Sequence, residues 1–216
     1  YSHRMIISAS LANGTSIISN INPSEDIDAT CECMQALGAK IIRDDYTYTI
    51  TGISKPSNSA VLNCRESGST LRFLIPVAAV LGCNTEFHGS GKLPTRPITP
   101  FKQEMSIKGV NFTHEDGFMP FTINGSLQGG IYKLAGDISS QFITGLLFAL
   151  PLCNENSLII LTSKLESKPY VDMTIAALEM FGINIDETIN DDGLLVYNIK
   201  GNQKFIPCDC IVEGDF

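Results

Sequence analysis

Residues 68–81 read GSTLRFLIPVAAVL and residues 139–149 read SSQFITGLLFA. Both open on small polar residues and pass at once into a run that is apolar nearly all round when wound as a helix. A helix of that kind has no face to give to water, so it belongs inside a domain among other helices. Sheets are then left for the periphery. The stretch Ser2-His3-Arg4 followed by MIISASLA has the same plan, and the three starts at 2, 69 and 139 lie 67 and 70 residues apart. Self-similarity at a fixed period is the signature of a repeated supersecondary unit. Pro76, inside the second of these helices, would cost about 3 kcal/mol or force a kink if it is interior.

Each start is followed by a short β-like run (TSIISNI, TEFHGS, SLIILTS) and then by a second helical segment that opens on acidic, Pro or Ser residues. These second helices finish in ALGAKI, IKGVNF and FGINI. Their glycines Gly38, Gly109 and Gly182, 71 and 73 residues apart, suit a left-handed cap before a strand. Alternation and β-branched residues in YTYTITGI and LLVYNIKG predict strand pairs beyond the caps. The reading is three units of helix, strand, helix, strand, strand, spanning about 1–66, 67–136 and 137–216. One such unit is small for a core of its own, so the three are expected to share one.

Composition agrees with a folded α/β domain: of 216 residues 44% are apolar and 18% charged, with 18 Gly and 10 Pro. Lys and Arg number 15 against 23 Asp and Glu, a net −8 whose mean field repels polyanions, so nucleic acid is not an expected partner. A cleft lined by a few Arg side chains and helix N-termini can still be positive inside such a chain. The longest apolar run, Phe73 to Leu81, has nine residues, against roughly 18 needed to cross a bilayer, so no membrane partner is expected. The chain opens Tyr-Ser-His-Arg with no basic segment leading into an apolar one, so no signal peptide is expected and the natural N-terminus is expected upstream. Seven cysteines at irregular spacing are expected to be reduced thiols, in a cytoplasmic protein. The C-x-C pair at Cys31 and Cys33 lies in a helical pattern that points the two thiols to different faces, and no C-x-x-C accompanies it, so no metal is expected.

If the three units share one arrangement, the polar starts of their first helices gather at one end of the domain. That end would carry unpaired N–H groups, positive dipole ends, the hydroxyls of Ser2, Ser69, Thr70, Ser139 and Ser140, the amide of Gln141 and the guanidinium of Arg4. Donors and dipole together suit an anion, and Gly68 would let a ligand approach the backbone closely. A single such Ser or Thr is ordinarily only an N-cap. Arg4 and Arg72, however, both sit in a first turn, where a cation opposes the dipole and is easier to explain beside an anion. Arg96 lies between Pro94 and Pro97, with little backbone freedom, which suits bidentate recognition of carboxylate or phosphate as well as a plain exposed loop. Ser167-Lys168-Pro169-Tyr170 precedes another second helix. Phosphate-loop, dinucleotide and zinc-protease motifs are absent. His3, His88 and His114 read as structural or surface residues, and Glu66 and Asp137 lie where acids also act as caps.

Ser2-His3-Arg4, Arg65 to Phe73 (RESGSTLRF), Leu93 to Pro97 (LPTRP), Gly136 to Phe142 (GDISSQF) and Ser167 to Tyr170 (SKPY) resemble, in that order, the motifs of the 5-enolpyruvylshikimate-3-phosphate synthase family. Val212-Glu213-Gly214-Asp215-Phe216 resembles the segment where that family's chain crosses to its other domain. The resemblance implies two similar domains, each an inside-out α/β assembly of three βαβαββ units with helices packed centrally and sheets outside. This chain would be one of them, with the second catalytic domain and the extreme N-terminus absent. It further implies transfer of the enolpyruvyl group of phosphoenolpyruvate to the 5-hydroxyl of shikimate 3-phosphate, with release of phosphate and without metal or organic cofactor.

Carried over by motif, Arg4, Ser139, Ser140, Ser167 and Tyr170, with Gln141 beside them, are the implied shikimate 3-phosphate contacts. Gly68, Arg96 and Gln141 are the implied phosphoenolpyruvate contacts. Glu66 stands where many members carry Asn, so no ligand contact is assigned to it, and no proton-transfer residue is implied within this chain. UDP-N-acetylglucosamine enolpyruvyl transferase, which shares architecture and phosphoenolpyruvate, is an alternative, as is a non-catalytic anion-binding interaction domain.

Overall fold

Serine hydroxyls fix where the apolar helices begin. In the computed structural model, which describes residues 1–114 and 119–213, Ser67 accepts the Thr70 N–H at 3.2 Å and Ser139 accepts the Gln141 N–H at 3.3 Å. Ser24 does the same for Ile27 at 3.3 Å. Each satisfies a donor that the first turn of a helix leaves without a partner. The acids Glu66 and Asp137, read from sequence as possible caps, are not used in this way. The Asp137 carboxylate instead accepts the Ser163 hydroxyl at 2.7 Å.

The elements run, in chain order, α1 (Ser2–Leu11), β1 (Thr15–Ser19), α2 (Glu25–Leu37), β2 (Lys40–Asp44), β3 (Thr47–Thr51), β4 (Ser59–Asn63), α3 (Gly68–Val80), β5 (Asn84–His88), α4 (Thr99–Ser106), β6 (Val110–His114), β7 (Phe121–Gly125), β8 (Gly130–Leu134), α5 (Ser140–Ala149), β9 (Ser157–Leu161), α6 (Lys168–Met180), β10 (Ile185–Ile189), β11 (Leu195–Ile199) and β12 (Cys210–Ile211). Gly38, Gly109 and Gly182 take φ of +120°, +88° and +77° at the ends of α2, α4 and α6. The left-handed caps expected at those three positions are therefore present.

Three four-stranded sheets result, in the orders β12-β1-β3-β2, β4-β5-β7-β6 and β8-β9-β11-β10. In the second and third, the opening strand pairs parallel with the strand after the first helix, and the rest is antiparallel. Each of these two units is thus βαβαββ, with its first strand ahead of the helix that opened the sequence repeat. That shifts both expected boundaries: residues 59–63, assigned to the first unit, hydrogen-bond in the second sheet, and residues 130–134, assigned to the second unit, hydrogen-bond in the third. The first sheet receives its parallel strand from the far end of the chain. β12 pairs with β1 through Ile18 and Ser19. The Ser16 hydroxyl accepts the Cys208 N–H at 3.1 Å, Asp209 accepts the Ile17 N–H at 2.8 Å, and the Asn20 amide donates to the Val212 carbonyl at 2.7 Å.

Helices α1, α2, α3, α5 and α6 touch in a closed ring, α1 to α2 to α3 to α5 to α6 and back to α1. Nearly every residue of α3 and α5 is buried, as their uniform apolarity requires, and the sheets lie outside. The fold is the inside-out α/β assembly expected. α3 runs through Pro76 without ending. The proline has no N–H, so the Arg72 carbonyl loses its usual donor four residues on. Gly145 of α5 lies against that carbonyl, and a Cβ there would overlap the Arg72 oxygen. The closest approach of the two central helices therefore needs glycine on one side.

Gly145→Ala should lower stability by about 1–3 kcal/mol, the usual range for overpacking a tight core, because the atom it meets is backbone. A urea unfolding curve unchanged by the substitution would show that α3 and α5 are free to separate.

Candidate anion-binding site

The N-terminus of α3 presents Gly68, Ser69 and Thr70. Because Ser67 takes the capping role, the Ser69 hydroxyl is left for another partner, and it accepts the Gln141 side-chain amide of α5 at 3.0 Å. The other end of that amide accepts Arg72 Nη1 at 2.7 Å. Arg72 is 9% exposed, lies over the Phe142 ring at 4.9 Å and donates from Nη2 to the Pro97 carbonyl at 3.4 Å. Its Nε is buried and finds no partner among the described residues. Burial lowers the Arg72 pKa, and the neighbouring Arg96 charge lowers it further.

Arg96 follows a 3-10 turn, Leu93–Thr95, in extended backbone. A Cβ on Gly68 would lie 2.5 Å from Arg96 Nη1. What Gly68 admits is thus the Arg96 guanidinium, where the sequence suggested a ligand. Among the described residues no carboxylate forms an ion pair with Arg72 or Arg96. Two guanidinium groups and a helix N-terminus repel one another here without a neutralising charge, and an anion would relieve all three. The cluster is cationic in a chain of net charge −8.

A second cluster joins α1 to α6. Arg4, 7% exposed, donates from Nε to the Thr174 hydroxyl at 2.8 Å and from Nη2 to the Tyr170 carbonyl at 2.9 Å, with its guanidinium 5.4 Å from the Phe73 ring centre. Its place in a first turn, puzzling in sequence, follows from these bonds to the neighbouring helix. Ser167 caps no N–H with its side chain, and the SKPY motif lies largely within the first turn of α6 instead of before it. Tyr170 is 56% exposed. Ser139 caps α5 and Ser140 beside it is buried. Gln141, Gly68 and Arg96 therefore stand together around α3 and α5, while Arg4 and Tyr170 stand together around α6. Ser139 and Ser140 head the helix that lies between the two groups.

Threonines hold this end in register. His3 Nδ1 lies 2.7 Å from the Thr30 hydroxyl, Thr30 lies 2.7 Å from Thr70, and Thr70 donates to Ser67 at 2.8 Å. Thr144 and Thr174 lie 3.1 Å apart between α5 and α6. Thr30, Thr144 and Thr174 were not singled out from sequence, whereas Thr70 and Arg72 stand out there among the polar helix starts. A hydroxyl in a helix otherwise apolar all round, such as Thr144 in FITGLL, was the available signal, because a buried polar group needs a partner. His88 pairs with Glu86 at 2.7 Å, and the His114 side chain lies outside the described residues. Gly214, Asp215 and Phe216 of the closing motif lie outside them too. Glu66 packs on Gly91, where a Cβ would overlap its carboxylate. All seven cysteines are free, and among the described residues no three His, Cys, Asp or Glu side chains gather as a metal site would require. No helix among them is long and apolar enough to cross a membrane.

A family model described as EPSP synthase (3-phosphoshikimate 1-carboxyvinyltransferase) matches residues 1–216. The 3-phosphoshikimate 1-carboxyvinyltransferase of Clostridium kluyveri is 45% identical over 219 residues, covering 99% of this chain and 50% of that protein. The protein of the same name from Clostridium perfringens is 45% identical over 216 residues, with the same coverage. The chain thus spans about half the length of the curated relatives it matches. A solved structure of EPSP synthase from Acinetobacter baumannii superposes with a TM-score of 0.79 over 98% of this chain and 47% of that one, at 22% identity, a likeness of fold. With the whole chain matched by the family model and its relatives at this identity, the chain belongs to the EPSP synthase family.

Proposed function

We propose that this chain is the substrate-holding half of an EPSP synthase, one of two similar domains, acting in transfer of the enolpyruvyl group of phosphoenolpyruvate to the 5-hydroxyl of shikimate 3-phosphate. The observation that carries the reading is the pair Arg72 and Arg96 at the N-terminus of α3, with which no carboxylate among the described residues forms an ion pair. Phosphoenolpyruvate brings both a phosphate and a carboxylate, and guanidinium groups match either in bidentate geometry. Arg96 and the Gly68 N–H hold it, and Arg96 balances charge that builds on the departing phosphate. Arg72 fixes the orientation of the Gln141 amide, which borders both substrates.

Shikimate 3-phosphate is the partner of the second cluster. Its phosphate is held by the Ser139, Ser140 and Ser167 hydroxyls and by free N–H groups at the starts of α5 and α6. Ser139 accepts a cap bond and can still donate its proton to a phosphate oxygen, since a hydroxyl does both. Arg4 serves the ring oxygens or carboxylate, and Tyr170 forms an edge of the pocket. Proton transfer is assigned to the half of the enzyme that this chain does not span. The seven free cysteines support a reducing compartment such as the cytoplasm.

This chain alone should show no steady release of phosphate from the two substrates, and release abolished by Arg96→Ala would contradict the division of labour. Shikimate 3-phosphate should bind it at about millimolar affinity, because contacts from the other half are lost and charge-assisted hydrogen bonds contribute about 1.5–3 kcal/mol each. Shikimate should bind more weakly, and Ser140→Ala should narrow the gap between the two. Chemical-shift mapping checks both; equal responses to the two ligands, or shifts away from Arg4, Ser139, Ser140 and Ser167, would rule out the phosphate site. Arg72→Met should weaken phosphoenolpyruvate binding about tenfold or more, measured by the same titration on the Gly68 and Ser69 amides.

A further inference from the structure

Arg65, in the turn from β4 into α3, has φ +52°. Side chains other than glycine rarely take that conformation, and one that does is held there by its surroundings. Here the Arg65 N–H donates to the Asn63 side chain at 3.0 Å and its carbonyl accepts the Ser90 N–H at 2.7 Å. Its guanidinium reaches α2, with Nη2 donating to Glu32 at 2.8 Å and Nη1 donating to the Glu25 carboxylate. Glu25 and Glu32 are two turns apart on one face of α2, so the helix grips the turn with both.

Both walls of the Gly68–Arg96 site hang from this residue. Forward along the chain, the Ser67 N–H donates to the Cys64 carbonyl at 2.9 Å and Ser67 then caps α3, which places Gly68. Sideways, the Ser90 N–H on Arg65 begins a backbone series: Leu93 N–H to the Ser90 carbonyl at 3.1 Å, then Arg96 N–H to the Leu93 carbonyl at 3.0 Å. Turning the peptide at Arg65 would move Arg96 relative to the α3 N-terminus.

We propose that Arg65 is a positioning residue for this anion site, locked in its left-handed conformation by Glu25 and Glu32, so that α2 sets the gap between Gly68 and Arg96. The proposal rests on reading that site as the phosphoenolpyruvate site. It makes a prediction opposite in sign to that of simple charge. Removing two carboxylates near an anion site strengthens anion binding through space, whereas loosening the turn weakens it.

The test uses the 216-residue chain, with phosphoenolpyruvate titrated against the Gly68 and Ser69 amide shifts and hydrogen exchange read at the Ser90 amide. The E25Q/E32Q double variant and R65A should each weaken binding about tenfold and speed Ser90 exchange by a similar factor, the scale of one strained residue released. R65G, which takes the same φ without a clamp, should stay within about threefold of the parent. Unchanged or tighter binding in E25Q/E32Q overturns the proposal, as does R65G behaving like R65A. If the double variant does not fold, the comparison of R65A with R65G decides alone. If phosphoenolpyruvate leaves Gly68 and Ser69 unmoved in the parent, the site reading fails, and Ser90 exchange still decides whether the clamp holds the turn.

Discussion

The approach of α5 to the Arg72 carbonyl is the constraint on which the rest depends. Pro76 removes one helical donor, Gly145 removes one side chain, and the two central helices close on each other at that point. With their axes that near, Gln141 of α5 can bridge Ser69 and Arg72 of α3. Wider spacing would leave Arg72 with a desolvated charge and fewer partners, a heavy cost for a buried guanidinium. The chemistry at the helix starts is therefore a consequence of packing several residues further along.

Much of the fold was legible because the signal repeated. Three apolar helices with polar starts and three glycine caps at near-constant spacing imposed the central helices and outer sheets, and each was found as read. The opening strand of each repeat was less visible. β4 (SAVLN) and β8 (GIYKL) lie in stretches whose periodicity is weak, and β12 has two residues, too few for any pattern. Only pairing shows that it serves the first sheet, since register between distant segments leaves no local mark.

The site was legible by residue type and not by contact. Arg4 and Arg72 drew attention as cations at the wrong end of a helix, but nothing in the chain order says that one is held by α6 and the other by α5. Gly68 was read as room for a ligand, and the space is taken by an Arg96 side chain from a loop almost thirty residues on. Both have one origin: sequence gives the chemistry of a position, while the neighbours that fill the space beside it come from other elements.

The far-end strand of the first sheet has a consequence for the order of assembly. The bonds that hold β12 against β1 join residues 192 positions apart, whereas the opening pairs of the second and third sheets close over one helix. Loop-closure entropy and contact order both make such a long connection slow to form. During synthesis the open edge of β1 waits until residues 20–209 have followed it, so the first sheet closes later than the two whose opening pairs span a single helix.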